Sequence, residues 1–205
     1  WATSGTEAVS EVPHRTGAGS LEVSAVEAPL LDYTSTLGSG TRVIALWRIP
    51  EVEVESGLCV FLDGVADPGN VGTIIRSAAA LAGAQVLVGA GTADPWGPKA
   101  VRASMGAVFA RPPGSVDPER APTPRVGIDA HSGGDLDQTL AAIRPRSLCL
   151  GAEREGLSSE VAVGCEATVT IPLQAGAESL NVAAAAICLH RLSSLAGDSG
   201  AGSEE

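Results

Sequence analysis

Ile171-Pro-Leu-Gln-Ala-Gly-Ala-Glu-Ser-Leu-Asn-Val182, followed by an Ala-rich run from Ala183 to Leu195, is the stretch that decides the fold. Ala167 to Leu173 is apolar and β-branched, the pattern of a buried strand. Gly176 breaks it and allows a turn. Ser179 and Asn181 are favoured helix N-cap types, and the run ending in His190 and Arg191 reads as a long helix. Strand, glycine loop and helix start together aim backbone N–H groups and a positive dipole end at a ligand. Taken alone, Ser179 and Asn181 read more readily as plain caps, which are common. Two more loops of the same kind lie upstream.

Working outward, LCVFLD (58–63), AQVLVG (84–89), AVFARP (107–112), RVGIDA (125–130) and SLCLG (147–151) are predicted strands. Between them Thr73–Ala82, Pro98–Met105, Asp135–Ile143 and a short segment from Ser158 are predicted helices. The Pro-rich segment 112–124 reads as a surface connection. This alternation predicts an α/β fold, an open parallel sheet with helices on both faces, with ligand at the carboxyl ends of the strands. The main domain is expected over 58–197. Residues 51–57, with three glutamates, read as an exposed linker, and 198–205 as a flexible tail. Residues 1–50 read as an extension or the remnant of a small domain, with two short strands and a helix around Leu30–Leu37. The chain opens at Trp1 rather than Met, so a longer native N-terminus is expected.

With 205 residues, 44% of them hydrophobic, the chain can bury a real core. Its net charge of −11 argues against a protein that coats nucleic acid non-specifically. From Gly64 to Val116, however, the acids are Asp67 and Asp94 and the bases are Arg76, Lys99, Arg102 and Arg111, so a local basic patch is expected. Cys59, Cys149, Cys165 and Cys188 show no metal-ligand spacing, so no metal site is expected. Cys59, Cys149 and Cys188 sit in apolar runs, as small hydrophobes do in a reducing cytosol. No membrane span or signal peptide is expected.

Three loops carry the chemistry. The first holds Asn70, a candidate cap for the helix that follows, and Arg76, a fork suited to phosphate or a reacting hydroxyl. The second is LGAEREGL (150–157), where Gly151 permits close backbone approach and Glu153 sits at a strand's carboxyl end. The third is the stretch quoted first. Neither a Walker lysine motif nor GxGxxG occurs.

GVADPGNVGTIIRSAAALAGAQVLV, LCLGAEREGLSSEV and VTIPLQAGAESLNVAAAAICLHRL, in this order and spacing, resemble the three motifs of the SpoU family of RNA ribose 2′-O-methyltransferases, within the SPOUT superfamily. KAVRASMGAVF resembles the family's middle segment. The resemblance covers roughly Leu58 to Leu195. It implies a C-terminal trefoil knot, a homodimer, a cytoplasmic enzyme, and S-adenosyl-L-methionine as methyl donor. By the same analogy Leu150, Gly151, Glu153, Gly156, Ile171, Pro172, Leu173, Ser179, Leu180 and Asn181 line the cofactor pocket. Asn70, Arg76, Glu153, Ser179 and Asn181 form the catalytic set, with Asn70 and Arg76 toward RNA. From the local basic patch, Lys99, Arg102 and Arg111 are candidate contacts to RNA phosphates. Lys99, Arg102 and Arg111 read equally as solvated surface. Ribosomal RNA is the first expectation for the substrate and transfer RNA the alternative, and a catalytically silent RNA-binding factor of the same fold stands beside both.

Overall fold

The computed structural model describes residues 24–35, 40–129, 132–170 and 188–189. The chain divides into two compact units, 1–49 and 50–205. In the first, the described residues form one helix, α1 (Ala28–Thr34). The expected strands are absent from the described part: Arg42–Ile49 is irregular and largely exposed. Alternation too short to bury a face does not make a sheet.

The second unit is built on a seven-stranded sheet in which every pairing is parallel. Its strands are β1 (Cys59–Leu62), β2 (Gln85–Val88), β3 (Gly114–Ser115), β4 (Arg125–Ile128), β5 (Gly134–Asp135), β6 (Ser147–Leu150) and β7 (Ala167–Thr170). The spatial order is β3-β2-β1-β6-β4-β7-β5. β1 is buried at all four positions, as a central parallel strand covered on both faces must be. Its side chains alternate between two cores. Val60 and Leu62 meet Ile74, Ile75, Val86, Leu140 and Leu148 on one face. Cys59 and Phe61 meet Leu87, Cys149 and Val161 on the other.

The helices follow from that division. α2 (Pro68–Ala82) and α5 (Leu136–Ile143) cover the first face, and α6 (Ser159–Val163) the second. α2 starts five residues earlier than its apolar run suggests, because Asp67 caps it and Pro68 opens it. α3 (Pro98–Ala103) crosses α2 so closely that a Cβ on Gly72 would lie 2.2 Å from the Ala100 carbonyl oxygen.

The predicted strand at 107–112 is instead a single helical turn, α4 (Ala107–Ala110). Gly106, at φ 90°, turns the chain into it, and Val108 is fully buried against the α2 face. Packing overrides the β preference of Val-Phe here. The Pro-rich segment is also more than a surface connection. Gly114–Ser115 pairs with β2, and Ala121 is buried in the second core. Residues 51–57 lie in the second unit, where Glu53 and Glu55 hydrogen-bond through their backbones to the Gln85 side chain at 2.9 Å.

Cys188 and Leu189, helical and fully buried, are the described part of the expected C-terminal helix. The strand end, glycine loop and knot expected over 171–187, with Ile171, Pro172, Leu173, Ser179, Leu180 and Asn181, lie outside the described residues, as does the tail. Among the described residues no helix is long and apolar enough to cross a membrane.

Candidate functional site

The strand order reverses beside β1. The chain runs outward through β2 and β3, then returns to β4, and β6 slots in between β4 and β1. At such a switch point the loops leaving the two strands part and open a crevice at their carboxyl ends. The loop after β1 leads into Asn70, in the first turn of α2, and the loop after β6 carries Glu153. Their side chains meet: the Asn70 amide donates to Glu153 Oε1 across 83 positions of sequence.

That contact depends on a division of labour at the start of α2. Asn70 does not cap the helix through its side chain. Asp67 does, accepting from the Asn70 backbone N–H at 2.9 Å. The Asn70 amide is thereby free to cross to the second loop. Asp67 is itself held by Lys99 Nζ at 2.6 Å. The Lys99 hydrogen bond, then that of the Asn70 N–H, keeps the Asp67 carboxyl below the usual carboxylate range. Sequence reading missed Asp67, although Asp followed by Pro is a helix-start signal as well as a turn signal.

The first loop is fixed on three sides. Asp63 N–H donates to the Leu150 carbonyl at 2.8 Å, and Gly64 N–H donates to Thr92 Oγ1 at 3.1 Å. Ala93 N–H donates to the Val65 carbonyl at 2.9 Å. Arg76 lies six residues beyond Asn70 on α2, about 9 Å along the axis. It is exposed and has no side-chain partner among the described residues.

In the second loop the chain doubles back, with Ala152 and Gly156 exchanging backbone hydrogen bonds at 3.0 and 2.9 Å. Gly151 has no room for a side chain: a Cβ would stand 2.1 Å from the Gly156 carbonyl carbon. The close approach expected at Gly151 is thus made by the loop's own backbone. Leu150, Gly151 and Gly156 are half-buried at its base, and Glu153 is exposed at its tip.

The other predicted phosphate contacts separate. Lys99 stands beside the loop but is engaged with Asp67. Arg102 is exposed on α3 and unpaired among the described residues. Arg111 is at the opposite end of α2, where it donates to the Gly83 carbonyl and pairs with Glu55 at 3.2 Å. α2 runs against the strands, so that end lies at the amino edge of the sheet, away from Asn70. Burial pushes the Cys59 thiol up to about 11 and the Cys188 thiol up to about 12, in keeping with packing roles. No group of three or more His, Cys, Asp or Glu side chains is placed to hold a metal among the described residues.

Residues 57–190 match the family described as the SpoU rRNA Methylase family. The chain is 39% identical over 168 residues to the 23S rRNA (uridine(2479)-2′-O)-methyltransferase of Streptomyces viridochromogenes, covering 72% of this chain and 58% of that one. It is 34% identical over 155 residues to the 23S rRNA (guanosine(2553)-2′-O)-methyltransferase RlmP of Bacillus subtilis, covering 72% and 62%. The crystal structure of the SpoU methyltransferase AviRb from Streptomyces viridochromogenes in complex with the cofactor AdoMet superposes with a TM-score of 0.61 at 34% identity, over 73% of this chain and 64% of that one. The chain therefore spans about three fifths of the length of these two curated relatives.

Proposed function

The chain belongs to the SpoU rRNA Methylase family, and on that premise we propose that it methylates ribose 2′-hydroxyls of RNA, with ribosomal RNA as substrate and S-adenosyl-L-methionine as donor. The substrate of the two relatives, 23S rRNA, and the cofactor of the AviRb crystal structure support the reading. The observation that carries it is the meeting of Asn70 and Glu153 at the switch point, on the helix that also presents Arg76.

The second loop suits a donor held by main chain. Gly151 and Gly156 keep its base free of side chains, so Leu150, Gly151 and Gly156 would line one wall. Ile171, Pro172, Leu173, Leu180, Ser179 and Asn181 are assigned to the rest. When bound, S-adenosyl-L-methionine supplies an activated methyl group on sulfur, and the chemistry asks for no metal. The protein's task is alignment and charge. Holding the two reactants in line contributes up to about 7–11 kcal/mol in favourable cases. A guanidinium is a poor base and a good anion fork, so Arg76 is assigned to the phosphate beside the target ribose and to the alkoxide that develops on its 2′-oxygen. Asn70 and Glu153, each holding the other, set the floor beside it. The same reading carries the trefoil knot, a homodimer and a cytoplasmic place of action.

Arg76→Ala should lower methyl transfer to ribosomal RNA by on the order of 10²-fold or more, while S-adenosyl-L-methionine titrated into the variant in a calorimeter binds as before. Near-normal turnover would refute the assignment of Arg76. Mapping ribose methylation on ribosomal RNA with and without the protein tests the substrate.

A further inference from the structure

The end of β1 holds a carboxylate that none of the three motif loops accounts for. Asp63 follows Leu62, the last residue of β1, and its backbone N–H extends the ladder to the Leu150 carbonyl at 2.8 Å. Its side chain reaches the far end of the same loop, where Oδ2 accepts from the Ser158 N–H at 2.6 Å. Asp63 therefore grips the second loop where it leaves β6 and again where it enters α6. Between those two points lies the turn closed by Ala152 and Gly156, with Glu153 at its tip.

Ser158 is the N-cap of α6, its hydroxyl accepting from the Val161 N–H at 3.3 Å. In a local capping box, the residue three positions on would return the favour, its side chain accepting from the cap's own N–H. Here that residue is Val161, which is buried in the second core and has no acceptor. The Ser158 amide is satisfied instead by Asp63, 95 positions away. A local acceptor would finish the cap without tying it to anything. Asp63 finishes it and ties α6 and the second loop to the strand that leads into Asn70.

We propose that Asp63 is a positioning residue for methyl transfer, clamping the second loop to the end of β1 so that Glu153 is held against Asn70. The inference rests on the function proposed above. It is tested with the purified 205-residue chain carrying Asp63→Ala or Asp63→Asn. Asp63→Ala should lower kcat roughly 10–100-fold through misplacement, with KM for RNA within about twofold of wild type. Asp63→Asn, whose amide oxygen still accepts from Ser158, should restore kcat to within a few-fold. In an Asn70→Ala background the further loss from Asp63→Ala should shrink to about twofold or less, because the two residues act on one contact.

Unchanged kcat in Asp63→Ala, or losses that multiply in the double variant, overturn the proposal. Hydrogen exchange over 151–158 reads the clamp without any turnover. It should quicken in Asp63→Ala and stay near wild type in Asp63→Asn. Equal rates in all three overturn the clamp, whereas a wild-type chain that transfers no methyl group overturns the function and leaves the exchange result to judge Asp63.

Discussion

At Gly151 a single added methyl group would collide with the backbone of Gly156 and Leu157, at 2.1 to 2.3 Å. Backbone is the least forgiving neighbour, because it cannot rotate away as a side chain can. Gly151→Ala should therefore destabilise the fold by at least the ~1–3 kcal/mol typical of overpacking, and a denaturant midpoint measures it. A variant as stable as wild type would mean that the turn opens to admit a methyl group. The same position shows that a glycine expected to face a ligand also has a packing reason to be glycine. As a glycine at a strand's carboxyl end, Gly151 points to a ligand; in the fold its immediate neighbour is the chain itself.

α2 gains its N-terminus from a charged residue, and that has a consequence for pH. The Asp67 carboxyl is held below its ordinary range by Lys99, so its share of stability is present above the unfolded carboxylate value near ~4 and is lost as pH falls through the lowered one. Asp67→Asn keeps a capping oxygen but loses the pair with Lys99. Its melting temperature should lie below wild type at neutral pH, and the two should converge in acid. A gap that persists at the lowest pH would mean the charge plays no part. Sequence reading recovers elements of this size unevenly. β1, β2 and β6 were legible because each is a short, unbroken apolar run closed by Gly or Asp. α4 was not, because Val108 and Phe109 suit a strand, and only the turn at Gly106 and the buried seat for Val108 make them helical. At the candidate site, Asn70 and Glu153 stand out in the sequence through their loops and the motif resemblance. Their contact does not, since it needs Asp67 to take over the cap and Asp63 to hold the opposite loop.

On the scale of the whole molecule, a net charge of −11 leaves little room for diffuse attraction to RNA. Of the four bases between Gly64 and Val116, Lys99 answers Asp67 and Arg111 answers Glu55. Among the described residues, that leaves Arg76 and Arg102 as the two uncommitted cations of this stretch. If Arg102 meets a phosphate, Arg102→Ala should reduce the slope of log Kd against log salt by roughly 0.7–0.9, measured by titrating a ribosomal RNA fragment at several ionic strengths. An unchanged slope would return Arg102 to plain surface.

Residues 98–111 accompany α2 from one end to the other. Lys99 ties down its beginning, Ala100 and Ala103 crowd Gly72, and Arg111 hooks the carbonyl just past its end. Contacts at both tips and a pinch between them oppose sliding and tipping. If Arg76 receives a phosphate as proposed, it does so from a braced helix, and the give in that embrace falls to the facing side, to the small hairpin that one aspartate keeps in place.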